Sequence, residues 1–223
     1  MKLWHCTGAR SLRALWALEE LGLDYELEVL PFPPRLFQRD YLEVNPLGTI
    51  PLLEDGATRM TESVAICQYL VDRYERRDFG LAPEHPQYGA YLNWLHQSDA
   101  TLTFPQTIAM RYFHLEPAPE KQPVAVDYGK WFFARLRVLD AHLLEHRWLV
   151  DDRFTIADIC VGYALYLADT MRLGESCGRE LQPQTAAYLA RLRERPAFQR
   201  ADALGRDGAG DRPSADTALR RDG

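Results

Sequence analysis

Cysteine is scarce and scattered. Cys6, Cys67, Cys160 and Cys177 contain no Cys-x-x-Cys pair, which excludes a dithiol redox site and a zinc-ribbon spacing. Cys67 and Cys160 fall inside apolar helical patterns, where a buried, inert thiol is expected. A basic excess is also absent. With 26 Lys+Arg against 32 Asp+Glu, the net charge of -6 lacks the electrostatic footprint of a nucleic-acid binder. No apolar run is long enough to span a bilayer. No apolar leader precedes the first strand pattern, so the cytoplasm is the expected compartment. There is no internal repeat. Residues 205–223 are rich in Gly, Asp and Arg with almost no apolar content, and a disordered tail is expected there.

The 223 residues suffice for one or two domains with a large buried core. Lys2 to Cys6 has the pattern of a first strand. A helix is expected from about Ser11 to Leu21, apolar along Leu12, Leu15, Trp16 and Leu18 and stopped by Gly22. Tyr25 to Leu30 follows as a second strand, ended by Pro31-Phe32-Pro33-Pro34. Pro51–Glu54 and Thr58–Thr61 flank Asp55-Gly56 as a hairpin, and a helix is expected from about Ser63 to Tyr74. Residues 75–86 have the composition of a linker. Beyond them the patterns are helical. A long helix from about Gln87 to Tyr112 is broken near Pro105. A second covers about Val124 to Glu145, and an apolar, central one covers Thr155 to Met171. A last helix runs from about Thr185 to Arg195. Thr155 and Asp158 have capping-box spacing, a structural signal.

One run carries the most chemistry. Asn45-Pro46-Leu47-Gly48-Thr49-Ile50-Pro51 leads into the hairpin, and Thr61-Glu62-Ser63 opens the next helix. A Pro at a strand start sits on an edge or at a sharp turn. With a cis Ile50-Pro51 bond, the Ile50 backbone would face outward, where an extended peptide could pair with it. The helix start at Glu62-Ser63 offers free N–H groups and the positive dipole end, which suit a carboxylate.

This run resembles the glutathione-binding half of the cytosolic glutathione S-transferase family. Lys2 to Cys6, Ser11 to Leu23 and Phe154-Thr155-Ile156-Ala157-Asp158-Ile159 are similar to its first strand, first helix and second-domain capping motif. The N-terminal spacing is nearest to the bacterial beta class, but Arg10 stands where that class has its catalytic Cys. The resemblance implies an α/β thioredoxin-like domain over residues 1–76 and an all-α helical domain over residues 87–200. It implies a glutathione transferase that takes reduced glutathione as co-substrate, needs no metal, and forms a homodimer. Ile50 would hold the cysteinyl backbone of glutathione beside Pro51. Ser63 would hold the γ-glutamyl carboxylate and Glu62 its ammonium group. Arg35, Gln38 or Arg39 would stand near the glycyl carboxylate.

The residue that activates the thiol stays open between Ser11, Arg10 and Cys6, with Thr7 a further donor. A thiol with a pKa of about 8.5 is mostly protonated at neutral pH, so chemistry needs a donor or positive charge beside it. Ser11 is equally a helix cap, Arg10 a solvated residue and Cys6 a packed strand residue. Phe104, Ile108 and Tyr112 are candidate walls for a hydrophobic electrophile. Two alternatives remain at this point: a glutathione-dependent thiol redox enzyme using Cys6, and a non-catalytic transferase-fold interaction protein.

Overall fold

The computed structural model describes residues 1–209. The chain divides into two compact units. Among the described residues, one joins Met1–Arg76 to residues 194–209, and the other is Arg77–Arg193.

The first unit begins with β1 (Lys2–His5), α1 (Leu12–Leu21) and β2 (Glu26–Val29). Two short helices follow, α2 (Pro34–Phe37) and α3 (Tyr41–Val44), then β3 (Leu52–Asp55), β4 (Thr58–Met60) and α4 (Ser63–Arg73). The strands form one sheet in the order β2-β1-β3-β4, with β1 and β2 parallel and the other pairs antiparallel. This is the expected thioredoxin-like arrangement. Helix α1 ends at Gly22, whose N–H bonds to the Leu18 carbonyl. Leu3, Leu12, Leu15, Trp16, Leu18, Leu53, Ile66 and Leu70 are all buried in this unit. Burying such side chains contributes about 1.5–3 kcal/mol each before chain entropy is charged against it.

In the second unit, the long helix expected over Gln87–Tyr112 is divided. It comprises α5 (Tyr88–Gln97), a π-helical stretch at Ser98–Thr103, α6 (Phe104–Met110) and a second π-helical stretch at Arg111–Leu115. Pro105 lies in the first turn of α6, where its missing N–H costs no helical bond. The second long helix is likewise two, α7 (Gln122–Arg135) and α8 (Arg137–Glu145). Next come α9 (Ile156–Thr170), α10 (Leu173–Cys177) and α11 (Pro183–Arg193). Helix α9 is buried on nearly every side, as its apolar sequence requires. Thr155 and Asp158 close a reciprocal capping box at its start. The Asp158 carboxylate also accepts from the Leu149 N–H at 3.2 Å and the Tyr188 hydroxyl at 2.8 Å.

One element departs from expectation. The chain after Pro196 forms a further helix, α12 (Pro196–Ala209), within the first unit. Residues 205–209 are therefore helical rather than the start of a disordered tail, and residues 210–223 lie outside the described residues. Ala197, Phe198 and Ala201 are buried, and the Phe198 ring meets Trp16 edge-on at 5.0 Å. Arg195 and Arg200 pair with Glu20 and Glu19 of α1 at 2.5 and 2.7 Å. Packing thus outweighs the poor helix propensity of Gly205 and Gly208.

Candidate functional site

The loop from β1 to α1 is drawn inward. The Ser11 hydroxyl is fully buried. It accepts from the Cys6 N–H at 3.1 Å and lies 2.8 Å from His5 Nδ1 and 3.3 Å from the Cys6 carbonyl. It makes no side-chain capping bond to α1. Ser11 therefore does not act as the helix cap that its position suggests, and its oxygen is held by the β1 end and His5. Burial lowers the His5 pKa to about 4, so its ring stays neutral at physiological pH. The Thr7 hydroxyl is also committed, donating to the Gly205 carbonyl of α12 at 2.6 Å.

Cys6 is fully buried among Trp4, Ala9, Leu30, Tyr41 and Leu52, with its thiol 3.6 Å from the Pro31 carbonyl. Burial raises its pKa far above the ordinary thiol value. A thiol held protonated and shut from solvent is a poor nucleophile, so the Cys6 redox alternative is not favoured. Arg10, alone among these candidates, has a partly exposed side chain.

The second group of residues is held by the loop before β3. Asn45 ties that loop together: its side-chain NH₂ donates to the Thr49 carbonyl at 2.8 Å, and its Oδ1 accepts from the Leu47 N–H at 3.2 Å. The Tyr41 hydroxyl donates to the same Thr49 carbonyl at 2.9 Å. Gly48 has a φ of +59°, and a Cβ there would lie 2.8 Å from Leu42 Cδ2 and 2.9 Å from Arg35 Cβ. Only glycine fits. The Ile50–Pro51 peptide bond is cis, as is Phe32–Pro33. The ladder between β1 and β3 runs from Lys2–Glu54 to Trp4–Leu52, so the half-buried Ile50 lies beyond the paired residues.

At the start of α4, Glu62 occupies the cap position in an extended conformation, exposed and with no side-chain capping bond. Ser63 is buried, and its Oγ accepts from Arg13 Nη1 at 3.1 Å. The commonplace explanation for an acid and a hydroxyl here, that they cap their own helix, does not describe what these side chains do. Arg13 was missed by sequence reasoning. It is fully buried on α1, and its backbone carbonyl receives the Cys67 thiol at 3.5 Å. The available signal was a charged residue amid Leu12, Ala14, Leu15 and Trp16, a setting that demands a buried partner.

In the second unit, Phe104, Ile108 and Tyr112 recur every four residues along α6 and the π-helical stretch after it. None is core: Phe104 is exposed, and Ile108 and Tyr112 are half-buried. Phe104 stands 6.4 Å from Tyr128, and Lys121 Nζ lies 5.2 Å over the Tyr112 ring.

Residues 8–73 match the family "Glutathione S-transferase, N-terminal domain", and residues 106–196 match "Glutathione S-transferase, C-terminal domain". The chain belongs to the glutathione S-transferase family. The transferase is 33% identical to glutathione S-transferase GstA of Escherichia coli O157:H7, over 93% of this chain and 99% of that protein. Its fold is similar to that of the glutathione transferase URE2P6 from Phanerochaete chrysosporium, solved with oxidized glutathione. That match has a TM-score of 0.79 and 31% identity, over 93% of this chain and 96% of the other. It is also similar to a sphingomonad glutathione S-transferase complexed with glutathione, with a TM-score of 0.76 and 25% identity over 92% and 98% of the two chains. The transferase is thus an enzyme of this family, of the bacterial cytosolic type. Among the described residues, no helix is long and apolar enough to cross a membrane.

Proposed function

We propose that the transferase binds reduced glutathione on its first unit and promotes attack of the glutathione thiolate on a hydrophobic electrophile. The observation that carries this is the conjunction of an unpaired strand start at Ile50 with an uncapped α4 N-terminus at Glu62 and Ser63. The cysteinyl backbone would pair with Ile50 as an added strand, with Pro51 shaping the turn. The γ-glutamyl carboxylate would accept from the Ser63 N–H and hydroxyl, and Glu62 would face the ammonium group. The glutathione complexes of the fungal and sphingomonad enzymes support the choice of ligand.

For the thiol we infer Arg10, because it is the one candidate of the β1–α1 loop that is partly exposed and it carries a positive charge just before α1. Helix α1 carries no acid in its first turn and no side-chain cap, and its N-terminus is the positive end of its dipole. A guanidinium and a helix N-terminus together favour the thiolate. The thiol proton leaves to solvent, the sulfur lone pair forms a C–S bond, and the electrophile's leaving group departs with its bonding pair. Proximity of the two bound reactants supplies much of the rate. Phe104, Ile108 and Tyr112 would hold the electrophile's apolar body.

We also infer a homodimer and a cytoplasmic setting. Leu36, Phe37, Leu42 and Leu47 cluster in sequence and are all exposed, as an interface residue is before its partner covers it. All four cysteines are free, which suits a reducing compartment. The test of the central reading is glutathione binding by Ile50–Pro51 and α4 variants, with Ser63→Ala expected to weaken it about tenfold or more. Unchanged binding would contradict it.

A further inference from the structure

We propose that α12 braces the loop between β1 and α1, with Gly205 and Thr7 as positioning residues that hold this loop where it favours the glutathione thiolate. The inference rests on the reading, given above, that this loop serves the thiol. It starts from the loop's own backbone. Gly8 has a φ of +72°. Glycine takes this conformation about as readily as its mirror image, so the turn at Gly8 does little to hold itself. Yet a charge acts on a sulfur through the distance between them, and a displacement of about 1 Å is enough to weaken a catalytic arrangement. The loop therefore needs a hold from outside its own sequence.

Helix α12 supplies that hold. Phe198, Ala201 and Gly205 recur at spacings of three and four, which places them on one face of the helix, and all three are buried. The first of them packs on Trp16 of α1, and the last meets the loop. The buried Thr7 hydroxyl donates to the Gly205 carbonyl at 2.6 Å. His5, the last residue of β1, lies against the same glycine. A Cβ at Gly205 would come 2.6 Å from its Nε2 and 3.4 Å from its Cδ2, so this approach requires glycine. The helix thus touches the chain where it leaves the sheet and again two residues on. At the first point the chain is fixed from both sides, since the His5 carbonyl accepts from the Leu30 N–H of the residue after β2 at 2.7 Å. At the second, beside Gly8, the bond from Thr7 is what ties the loop to α12. Neither positioning residue need touch glutathione. They set where the loop stands, and the loop sets the charge beside the sulfur.

The experiment measures the thiol pKa of bound glutathione by ultraviolet titration and its dissociation constant by calorimetry, at a temperature where circular dichroism shows each variant folded. Thr7→Val removes the tie and keeps the shape, Thr7→Ser keeps the tie, and Gly205→Ala drives a methyl group at His5. Thr155→Ala, destabilised in the second unit, controls for stability alone. Thr7→Val and Gly205→Ala should each raise the bound thiol pKa by about half a pH unit or more, which lowers the thiolate present below that pKa about threefold. Their dissociation constants for glutathione should stay within about twofold of the wild type, because Ile50 and Ser63 are untouched. Thr7→Ser and Thr155→Ala should keep the wild-type pKa. A folded Thr7→Val with the wild-type pKa overturns the proposal, as does an equal shift in Thr7→Ser or Thr155→Ala. A shift in Thr7→Val with none in Gly205→Ala overturns it too, since Thr7 would then act on the sulfur without α12. A wild type whose bound thiol keeps the free value of about 8.5 would instead overturn the reading of the loop, and the brace with it.

Discussion

At the scale of single residues, the chemistry of the β1–α1 loop turns on which polar groups are buried and which reach solvent. Ser11, Thr7 and Cys6 look equivalent as letters, yet His5, Gly205 and the core around Trp4 claim each of them. Arg10 remains. Arg10→Met should raise the thiol pKa of bound glutathione back toward about 8.5, the free value. Ultraviolet titration of the complex measures this, and an unchanged pKa would remove Arg10 from the mechanism. Ser11→Ala should leave that pKa alone and lower stability by about 1–3 kcal/mol, since it strips a buried N–H of its acceptor. Much of this was beyond the sequence. Pro51, Glu62 and Ser63 were legible because their placement follows from local strand, turn and helix signals. The direction of the Ser11 hydroxyl and the partner of Arg13 depend on residues five and fifty positions away, and no local pattern encodes them.

At the scale of elements, the starts and ends of helices were more legible than their continuity. The capping box at α9 follows from Thr155 and Asp158 alone, and the structure adds two further donors to that carboxylate. Thr155→Ala should cost about 1 kcal/mol or somewhat more, read as a lower urea midpoint. Asp158→Asn should cost more, about 2–3 kcal/mol, because its amide group would face donors that now find a carboxylate. Equal effects for the two variants would count against the convergence on Asp158. Helix α12 escaped notice because its glycines and charges weaken the periodic pattern, while three buried side chains hold it in place. Gly205 is where that packing is closest: a Cβ there would come 2.6 Å from His5 Nε2. Gly205→Ala should destabilise the first unit by about 1–3 kcal/mol. An unaltered melting temperature would show that α12 does not press on His5 as described.

At the scale of the whole molecule, two buried groups act on stability in opposite directions over nearly the same pH range. His5 falls from an ordinary value of 6.5 to about 4, so the unfolded chain binds its proton first. Its contribution is full above pH 6.5 and is lost as the pH falls toward 4, by up to about 3 kcal/mol. Asp158 rises from 3.8 to about 6, chiefly because burial penalises its charge. Its contribution is full below pH 3.8 and is lost as the pH rises through 6. Urea midpoints taken between pH 4 and 7 should therefore drop less on acidification in His5→Gln than in the wild type. A variant with the wild-type slope would contradict the burial of His5 as a neutral ring. Sedimentation of the dilute protein at twice the chain mass would accord with a homodimer, and a monomer would refute it.

The central claim is that Glu62 and Ser63 at the head of α4, with Ile50 beside them, form a glutathione site. Calorimetric titration of reduced glutathione into the wild type and Ser63→Ala tests it most directly. The account predicts saturable binding by the wild type that weakens about tenfold or more in the variant. Equal affinities, or no binding by the wild type, would contradict it.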